Sequence, residues 1–96
     1  MTLCLDISEK ALADVGEVWD YIAEDDIDAA DQFIERLYVE FDMLARHPRA
    51  GRERPDLQPG LRTFPIGRYV VVYRERAERV EVVRVLSAYR DLGAIF

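Results

Sequence analysis

Apolar and polar positions alternate at the start of the chain, where residues 3–7 read LCLDI. Alternation with a period of two predicts a strand that has one face toward a core. Cys4 lies in this segment, and as a lone thiol it has no partner for an internal disulfide bond. We expect Cys4 to be a small core residue, which is the usual role of a free cysteine.

The pattern then changes to the three- and four-residue spacing of helices. A first helix is predicted over residues 9–24, with Ser8 as its N-cap. A second helix is predicted to begin after Asp28, which suits an N-cap, and to end near His47. Pro48 disfavours helical backbone in the residue before it, so the helix stops there. The two helices therefore form a hairpin.

Residues 48–60 contain three prolines and two glycines without periodicity, which predicts a loop that is either functional or packed down by its own residues. Three apolar runs follow at 61–66, 69–74 and 80–87, separated by turn-forming residues. Pro65 restricts the first of these strands to an edge or a bulge. The pattern predicts a single α+β domain over residues 1–96 in the order βααβββ, with the two-helix hairpin on one face of a small, mainly antiparallel sheet.

The last predicted strand carries apolar residues on both faces. Simple alternation places Val80, Val82 and Arg84 on one face and Val83 and Val85 on the other. A sheet covered by helices on one side has a second, open face, and we expect Arg84 to lie on it. An open face that is partly apolar indicates contact with a partner.

The first helix has an apolar stripe that is broader than a narrow core seam needs. Leu12, Val15, Trp19 and Ile22 form its centre. The stripe either serves the core alone or also offers a groove in which an amphipathic helix of a partner can lie.

The net charge of −6 conceals an uneven distribution. Residues 1–45 hold thirteen acidic and two basic side chains, a balance of −11, whereas residues 46–96 hold six acidic side chains and eleven arginines, a balance of +5. An acidic chain is a poor general binder of nucleic acid, so we expect no sequence-specific DNA binding by this chain alone. The sequence shows neither a membrane-spanning run nor a signal peptide, which predicts a cytoplasmic protein.

Few residues in the chain can carry catalysis. His47 is the one histidine, no metal-ligand spacing is present, and no phosphate-binding glycine motif occurs, so we expect neither a metal nor a cofactor. The turn after the last strand offers Arg84, Tyr89 and Arg90. Arginine matches phosphate or carboxylate but stays protonated at neutral pH, so it serves binding better than proton transfer.

Several segments in order resemble the ParE-type toxins of the RelE/ParE superfamily of bacterial toxin–antitoxin modules. These segments are WDYIA at 19–23, LARHPRAGR at 44–52, PGLRTFPIGRY at 59–69, YR at 73–74, RVL at 84–86 and RDL at 90–92. The resemblance runs from about residue 5 to residue 96. It implies the same βααβββ fold that the pattern predicts.

The resemblance implies a toxin of a type II module that is neutralised by a ParD-like antitoxin in a hetero-oligomer. ParE members are described as poisons of DNA gyrase, whereas RelE members are ribosome-dependent mRNA endonucleases. The alternatives are therefore a RelE-type nuclease, whose central lysines have no counterpart here, and a non-toxic relative that only binds its antitoxin. Residues Ser87, Ala88 and Tyr89 stand where ParE-like chains commonly have a histidine, a glycine and an alanine.

The predicted binding residues form two groups. We expect a target-binding surface and an antitoxin-binding surface, with no catalytic residue in either. For the target the residues are Arg62, Arg84, Tyr89, Arg90 and Phe96, and for the antitoxin they are Leu12, Val15, Trp19 and Ile22. The open alternative is that Arg84 and Arg90 pair with acids of the fold and that Phe96 packs into the core.

Overall fold

A computed structural model describes residues 2–96 of the chain, in which strands and helices follow one another in the predicted order with two short additions. The elements are β1 (Cys4–Ile7), α1 (Glu9–Ala23), α2 (Ile27–Arg46), β2 (Arg52–Glu53), β3 (Leu61–Ile66), β4 (Tyr69–Arg76), β5 (Arg79–Ser87) and α3 (Leu92–Ile95). The βααβββ arrangement is confirmed. The short strand β2 and the one-turn helix α3 were not predicted.

Both long helices begin at side-chain caps. The Ser8 hydroxyl accepts a hydrogen bond from the Ala11 amide at 3.0 Å, as predicted for α1. The cap of α2 is Asp26, whose carboxylate accepts from the Ala29 amide at 3.1 Å, so the prediction of Asp28 is wrong by two positions. Asp28 lies instead in the first turn, where its negative charge suits the helix dipole.

The sheet has the strand order β1-β5-β4-β3-β2. β1 pairs in parallel with β5, and each of the other neighbouring pairs is antiparallel. At the turn between β3 and β4, Gly67 has φ +59°, a conformation that glycine adopts without strain. Gly67 and Arg68 thus form the tight turn between these two strands.

One face of the sheet packs against α1 and α2. The core between them consists of Ala11, Val15, Val18, Leu37, Phe41, Leu44, Ile66, Val71, Tyr73, Val80, Val82 and Val85. Leu3, Leu5 and Ile7 pack against this core, as the alternation in β1 predicts. Cys4 points the other way and is exposed, so the prediction that it is a core residue is wrong.

The open face of the sheet carries a second, smaller apolar cluster. Its buried members are Leu57, Leu61 and Val72, and Val70, Val83, Leu92 and Phe96 pack against them. The loop before β3 and the C-terminal helix α3 thus cover part of the face that the helix hairpin leaves open.

A β-bulge at Val83 explains how both faces of β5 become apolar. Tyr73 pairs with Val82 and Val72 pairs with Arg84, so Val83 is the additional residue. Val82 faces the helices, and Val83 packs with Val72 on the open side. Arg84 pairs with Val72, so the simple alternation that placed it beside Val82 was wrong. Its guanidinium bonds to Asp14 of α1, so the expectation that Arg84 is presented on the open face is not confirmed.

Candidate interaction surface

The turn after β5 exposes two of the predicted target-binding residues, Tyr89 and Arg90. The Ala88 amide donates to the Arg68 carbonyl at 2.8 Å, and the Arg90 amide donates to the Ser87 carbonyl at 3.0 Å. The first bond attaches the turn to the Gly67–Arg68 turn beside it, and the second closes the turn itself. Tyr89 is 85% exposed, and Arg90 is exposed next to it.

Tyr89 forms one wall of a cleft with aromatic sides. The cleft has a volume of about 310 Å³ and is lined by Tyr21, Arg68, Tyr69, Ser87 and Tyr89. Tyr69 packs against Phe33 at a centroid distance of 5.4 Å, and burial raises the pKa of its phenol. Tyr21 of α1 also lines this cleft and is exposed, and it was not among the predicted binding residues.

Arg90 also borders a groove on the open face, which we call the arginine groove. Its volume is about 450 Å³, and its lining residues are Arg52, Arg54, Thr63, Pro65, Val70, Ala88, Arg90, Asp91, Leu92 and Gly93. Arg54 donates two hydrogen bonds to Asp56, at 3.0 and 2.9 Å, and these bonds lower the pKa of the Asp56 carboxyl. Sequence reasoning missed Arg52 and Arg54, and the one available signal was the density of arginines between residues 46 and 54.

Arg84 is held by the fold. Its guanidinium donates to both carboxylate oxygens of Asp14 on α1, at 2.8 and 2.9 Å, and the Val85 amide donates to the same carboxylate at 2.9 Å. The side chains of Arg84 and Asp14 are 21% and 6% exposed. The hydrogen bonds to Asp14 raise the pKa of Arg84 further above its ordinary value. Arg84 thus follows the alternative of an internal ion pair.

Arg62 lies apart from the other predicted target-binding residues. It donates to the Gly51 carbonyl at 2.8 Å and to Glu53 at 3.0 Å. β3 and β5 run in the same direction, because each is antiparallel to β4. Arg62 is near the start of β3, whereas Arg90 follows the end of β5, so the two arginines are at opposite ends of the sheet.

Phe96 is half-buried in the cluster on the open face, together with Leu92. Its amide donates to the Leu92 carbonyl at 3.0 Å, which closes the turn of α3. Its ring therefore stabilises the position of α3 and offers only part of its surface to a partner. This placement matches the alternative in which Phe96 packs into a core.

Comparison with known proteins places the chain in a family. The family model described as "ParE toxin of type II toxin-antitoxin system, parDE" matches residues 5–92. The chain belongs to the ParE toxin family. It is 33% identical over 88 residues to Toxin ParE1 of Mycobacterium tuberculosis, a match that covers 90% of each chain. It is 41% identical over 61 residues to Toxin ParE3 of Caulobacter vibrioides, which covers 64% of this chain and 61% of that toxin.

Solved structures show the same fold at low sequence identity. A chain of the chromosomal ParDE system from P. aeruginosa superposes with a TM-score of 0.76 at 20% identity, covering 90% of this chain and 96% of that one. A mutant of the E. coli toxin RelE in the free state superposes with a TM-score of 0.68 at 20% identity, covering 93% of this chain and 86% of that one. The ParE and RelE branches thus share the architecture described above.

The apolar stripe of this ParE-family chain belongs mostly to its core. Val15 is 8% exposed and Ile22 packs against the core cluster, so a partner on the folded chain reaches little of either. Leu12 is 51% exposed. Trp19 is half-buried, and its indole donates to Asp31 of α2 at 2.8 Å, which ties the two helices together.

The groups on the surface are suited to binding. Within residues 2–96, no three His, Cys, Asp or Glu side chains come together as a metal site. His47 is exposed at the C-terminal end of α2. No helix in the same range has the length and apolar character needed to cross a membrane. Guanidinium and phenol groups beside apolar side chains can recognise carboxylates, phosphates and aromatic surfaces.

Proposed function

We propose that this chain is the toxin of a type II toxin–antitoxin module and that it acts in the cytoplasm as a poison of DNA gyrase. In this proposal the chain is a protein-binding inhibitor, and a ParD-like antitoxin neutralises it by tight binding in a hetero-oligomer. Membership of the ParE toxin family supports the toxin role. The solved ParDE system and the RelBE2 toxin–antitoxin complex of M. tuberculosis, which share the fold, support an antitoxin as the partner.

The observation that carries target binding is the turn that exposes Tyr89 and Arg90. Tyrosine and arginine are enriched among the few residues that supply most of the energy of protein interfaces. The backbone hydrogen bonds of the turn fix the backbone that carries both side chains, which reduces the backbone entropy lost on association. Tyr21 and Arg68 extend this surface around the cleft.

We expect the double variant Tyr89→Ala/Arg90→Ala to lose its effect on DNA gyrase. Both side chains are exposed, so the melting temperature is expected to stay close to that of wild type. Each is expected to supply about 2 kcal/mol of interface energy, so the concentration that gives half-maximal effect rises at least about 100-fold. The measurement is a gyrase supercoiling assay with and without ATP, scored for linear plasmid.

Arg76→Ala is the matched control for charge, because Arg76 is exposed at the far end of β4. It is expected to behave as wild type. Intact supercoiling with wild-type protein that still arrests growth contradicts the gyrase proposal, and cleaved mRNA in the arrested cells then identifies a RelE-type mRNA endonuclease. The absence of growth arrest on expression identifies a non-toxic relative that only binds its antitoxin.

We propose that the antitoxin contacts α1 at Leu12 and Trp19, beside the more deeply placed Val15 and Ile22. Leu12→Glu introduces a charge at a half-exposed apolar position, and we expect it to weaken antitoxin binding at least about tenfold, because the burial of one leucine is worth that much. Val39→Glu on the outer face of α2 is the control, since Val39 is exposed as well.

The measurement is titration calorimetry with the antitoxin encoded by the neighbouring reading frame. Leu12→Glu is preferable to Trp19→Ala, because Trp19 also joins the two helices through Asp31, so its removal affects stability as well as binding. A wild-type dissociation constant for Leu12→Glu excludes α1 as the contact surface.

A further inference from the structure

The arginine groove has an apolar floor and charged walls. Pro65 on β3 and Val70 on β4 are partners across the two strands and lie on the floor. Arg52 and Arg54 form one wall, and the turn from Ala88 to Gly93 forms the other. The groove thus crosses the open face of the sheet next to the apolar cluster, with which it shares Val70 and Leu92.

The sheet offers an unpaired strand beside this floor. β2 pairs only with Arg62 and Thr63 of β3, so within the described chain the outer edge of β3 is unpaired from Phe64 to Ile66. An extended segment of another chain can lie along such an edge. Pro65 has no amide hydrogen, which limits the backbone bonds available there and leaves side-chain contacts to supply most of the specificity.

The charges in the groove are unevenly satisfied. Arg54 is held by Asp56. Asp91 accepts a hydrogen bond from the Gly93 amide at 3.0 Å and serves as the cap of α3. Arg52 and Arg90 find no carboxylate partner among residues 2–96, so each guanidinium can take one from outside the chain.

A peptide fits these features better than a nucleic acid. A nucleic acid presents a continuous row of phosphates and binds through many cations, whereas the groove holds only two guanidiniums without a carboxylate partner among residues 2–96. Two available guanidiniums suit two carboxylates, and an apolar floor suits an apolar side chain between them. In an extended peptide, side chains on one face recur every second residue, which gives such an alternating pattern.

We propose that the arginine groove binds an extended acidic peptide segment of a partner protein, with carboxylates on Arg52 and Arg90 and an apolar side chain over Pro65 and Val70. This inference rests on the proposed function, because a segment that covers Arg90 blocks the turn that is proposed to hold the target. Neutralisation of the toxin is then a competition between the acidic segment and the target for Arg90.

The test uses a short fluorescein-labelled peptide in which glutamate alternates with leucine, measured by fluorescence polarisation on the full chain. We expect binding that falls at least about tenfold in Arg52→Ala/Arg90→Ala, since each lost charge-assisted contact weakens the complex. Arg76→Ala is expected to bind as wild type. A peptide with glutamine in place of glutamate is expected to bind weakly.

Reversing the charges of the groove and of the peptide together is the control for a variant that binds poorly because its fold has changed. Arg52→Glu/Arg90→Glu is expected to reject the glutamate peptide and to bind a peptide in which lysine replaces glutamate. Equal binding of the glutamate peptide to wild type and to both double variants overturns the proposal. A single-stranded oligonucleotide that binds with the same arginine dependence, while the acidic peptide does not bind, also overturns it and assigns the groove to nucleic acid.

The two proposals fail separately. If the acidic peptide does not bind while gyrase is poisoned and the antitoxin neutralises the chain, the groove proposal fails and the proposed function stands. If the peptide binds with the expected arginine dependence while gyrase is unaffected, the groove proposal stands and only the choice of target fails.

Discussion

Asp14→Ala is expected to lower the free energy of unfolding by about 3 kcal/mol, because it removes one partner of a buried ion pair and leaves the other uncompensated. The Asp14 carboxylate accepts three hydrogen bonds, two from the guanidinium of Arg84 and one from the amide of Val85. In the alanine variant these donors lose their acceptor in a site with little access to water. Urea denaturation monitored by the fluorescence of Trp19 measures the change.

Two further variants identify the cause of that loss. Arg84→Met keeps most of the aliphatic volume and removes the charge, and a double-mutant cycle with Asp14→Ala isolates the energy of the pair. Asp6→Ala is the matched control on the surface, where Asp6 and Arg79 form a short ion pair that is about half exposed. Water screens that pair, so its loss is expected to change stability far less. Equal effects of Asp14→Ala and Asp6→Ala contradict a structural role for burial here.

This ion pair changes how the arginines of the last strand are tested. From the sequence, Arg84 and Arg90 were both expected to bind the target, and internal pairing of both with acids of the fold was the open alternative. Because Arg84 ties β5 to α1, its removal affects folding as well as any binding. Arg90 has no such tie in the described chain, so a loss of activity in Arg90→Ala reports on binding alone.

Sequence reasoning worked for the elements whose signals are local. Helical spacing and the cap at Ser8 depend on residues within one turn, and both were predicted correctly. The start of α2 was misplaced because Asp25, Asp26 and Asp28 are all good caps, and local preference does not choose between them. The structure selects Asp26, whose carboxylate reaches the Ala29 amide.

The simple alternation predicted for β5 was wrong, because the contacts that accompany its bulge come from residues distant in sequence. The Ser8 hydroxyl donates to the Val83 carbonyl at 2.8 Å, and Asp14 accepts from the Val85 amide, across separations of 75 and 71 residues. Beyond the end of β1, these contacts replace strand pairing along the edge of β5, at the position of the bulge. No pattern within the strand itself predicts them.

The candidate binding surface was predicted only in part, because some of its residues are neighbours in sequence and others come together only through the fold. Tyr89 and Arg90 are exposed in a turn, which their neighbours in sequence already indicate. Arg52 reaches the same groove from β2, which lies in a segment predicted as a loop, and only the pairing of β2 with β3 brings it there. Val15 and Phe96 were expected to meet partners, but both pack within the fold, since apolar spacing does not distinguish an interface from a core.

Gly51→Ala is expected to destabilise the fold by about 3 kcal/mol, the upper end of the cost of overpacking a core. An added Cβ at Gly51 would lie 2.5 Å from the hydroxyl oxygen of Tyr73 and 2.9 Å from the carbonyl oxygen of Thr63. The ring of Tyr73 is fully buried and cannot move aside without disturbing its neighbours. Gly16→Ala is the control, because nothing lies within 4 Å of an added Cβ there, and the change is expected to stabilise α1 by up to about 1 kcal/mol.

The same contact anchors the segment that connects α2 to the short strand β2. The Tyr73 hydroxyl accepts from the Gly51 amide at 2.7 Å and donates to the Pro48 carbonyl at 2.8 Å, and burial raises the pKa of the phenol so that it keeps its proton. Tyr73→Phe removes both bonds with little change of volume and is expected to cost about 2 kcal/mol. If Gly51→Ala is as stable as wild type, Tyr73 does not fix this loop. If both variants lose stability as expected, the anchor also positions Arg52, and Gly51→Ala should weaken binding of the acidic peptide although no residue of the groove has changed.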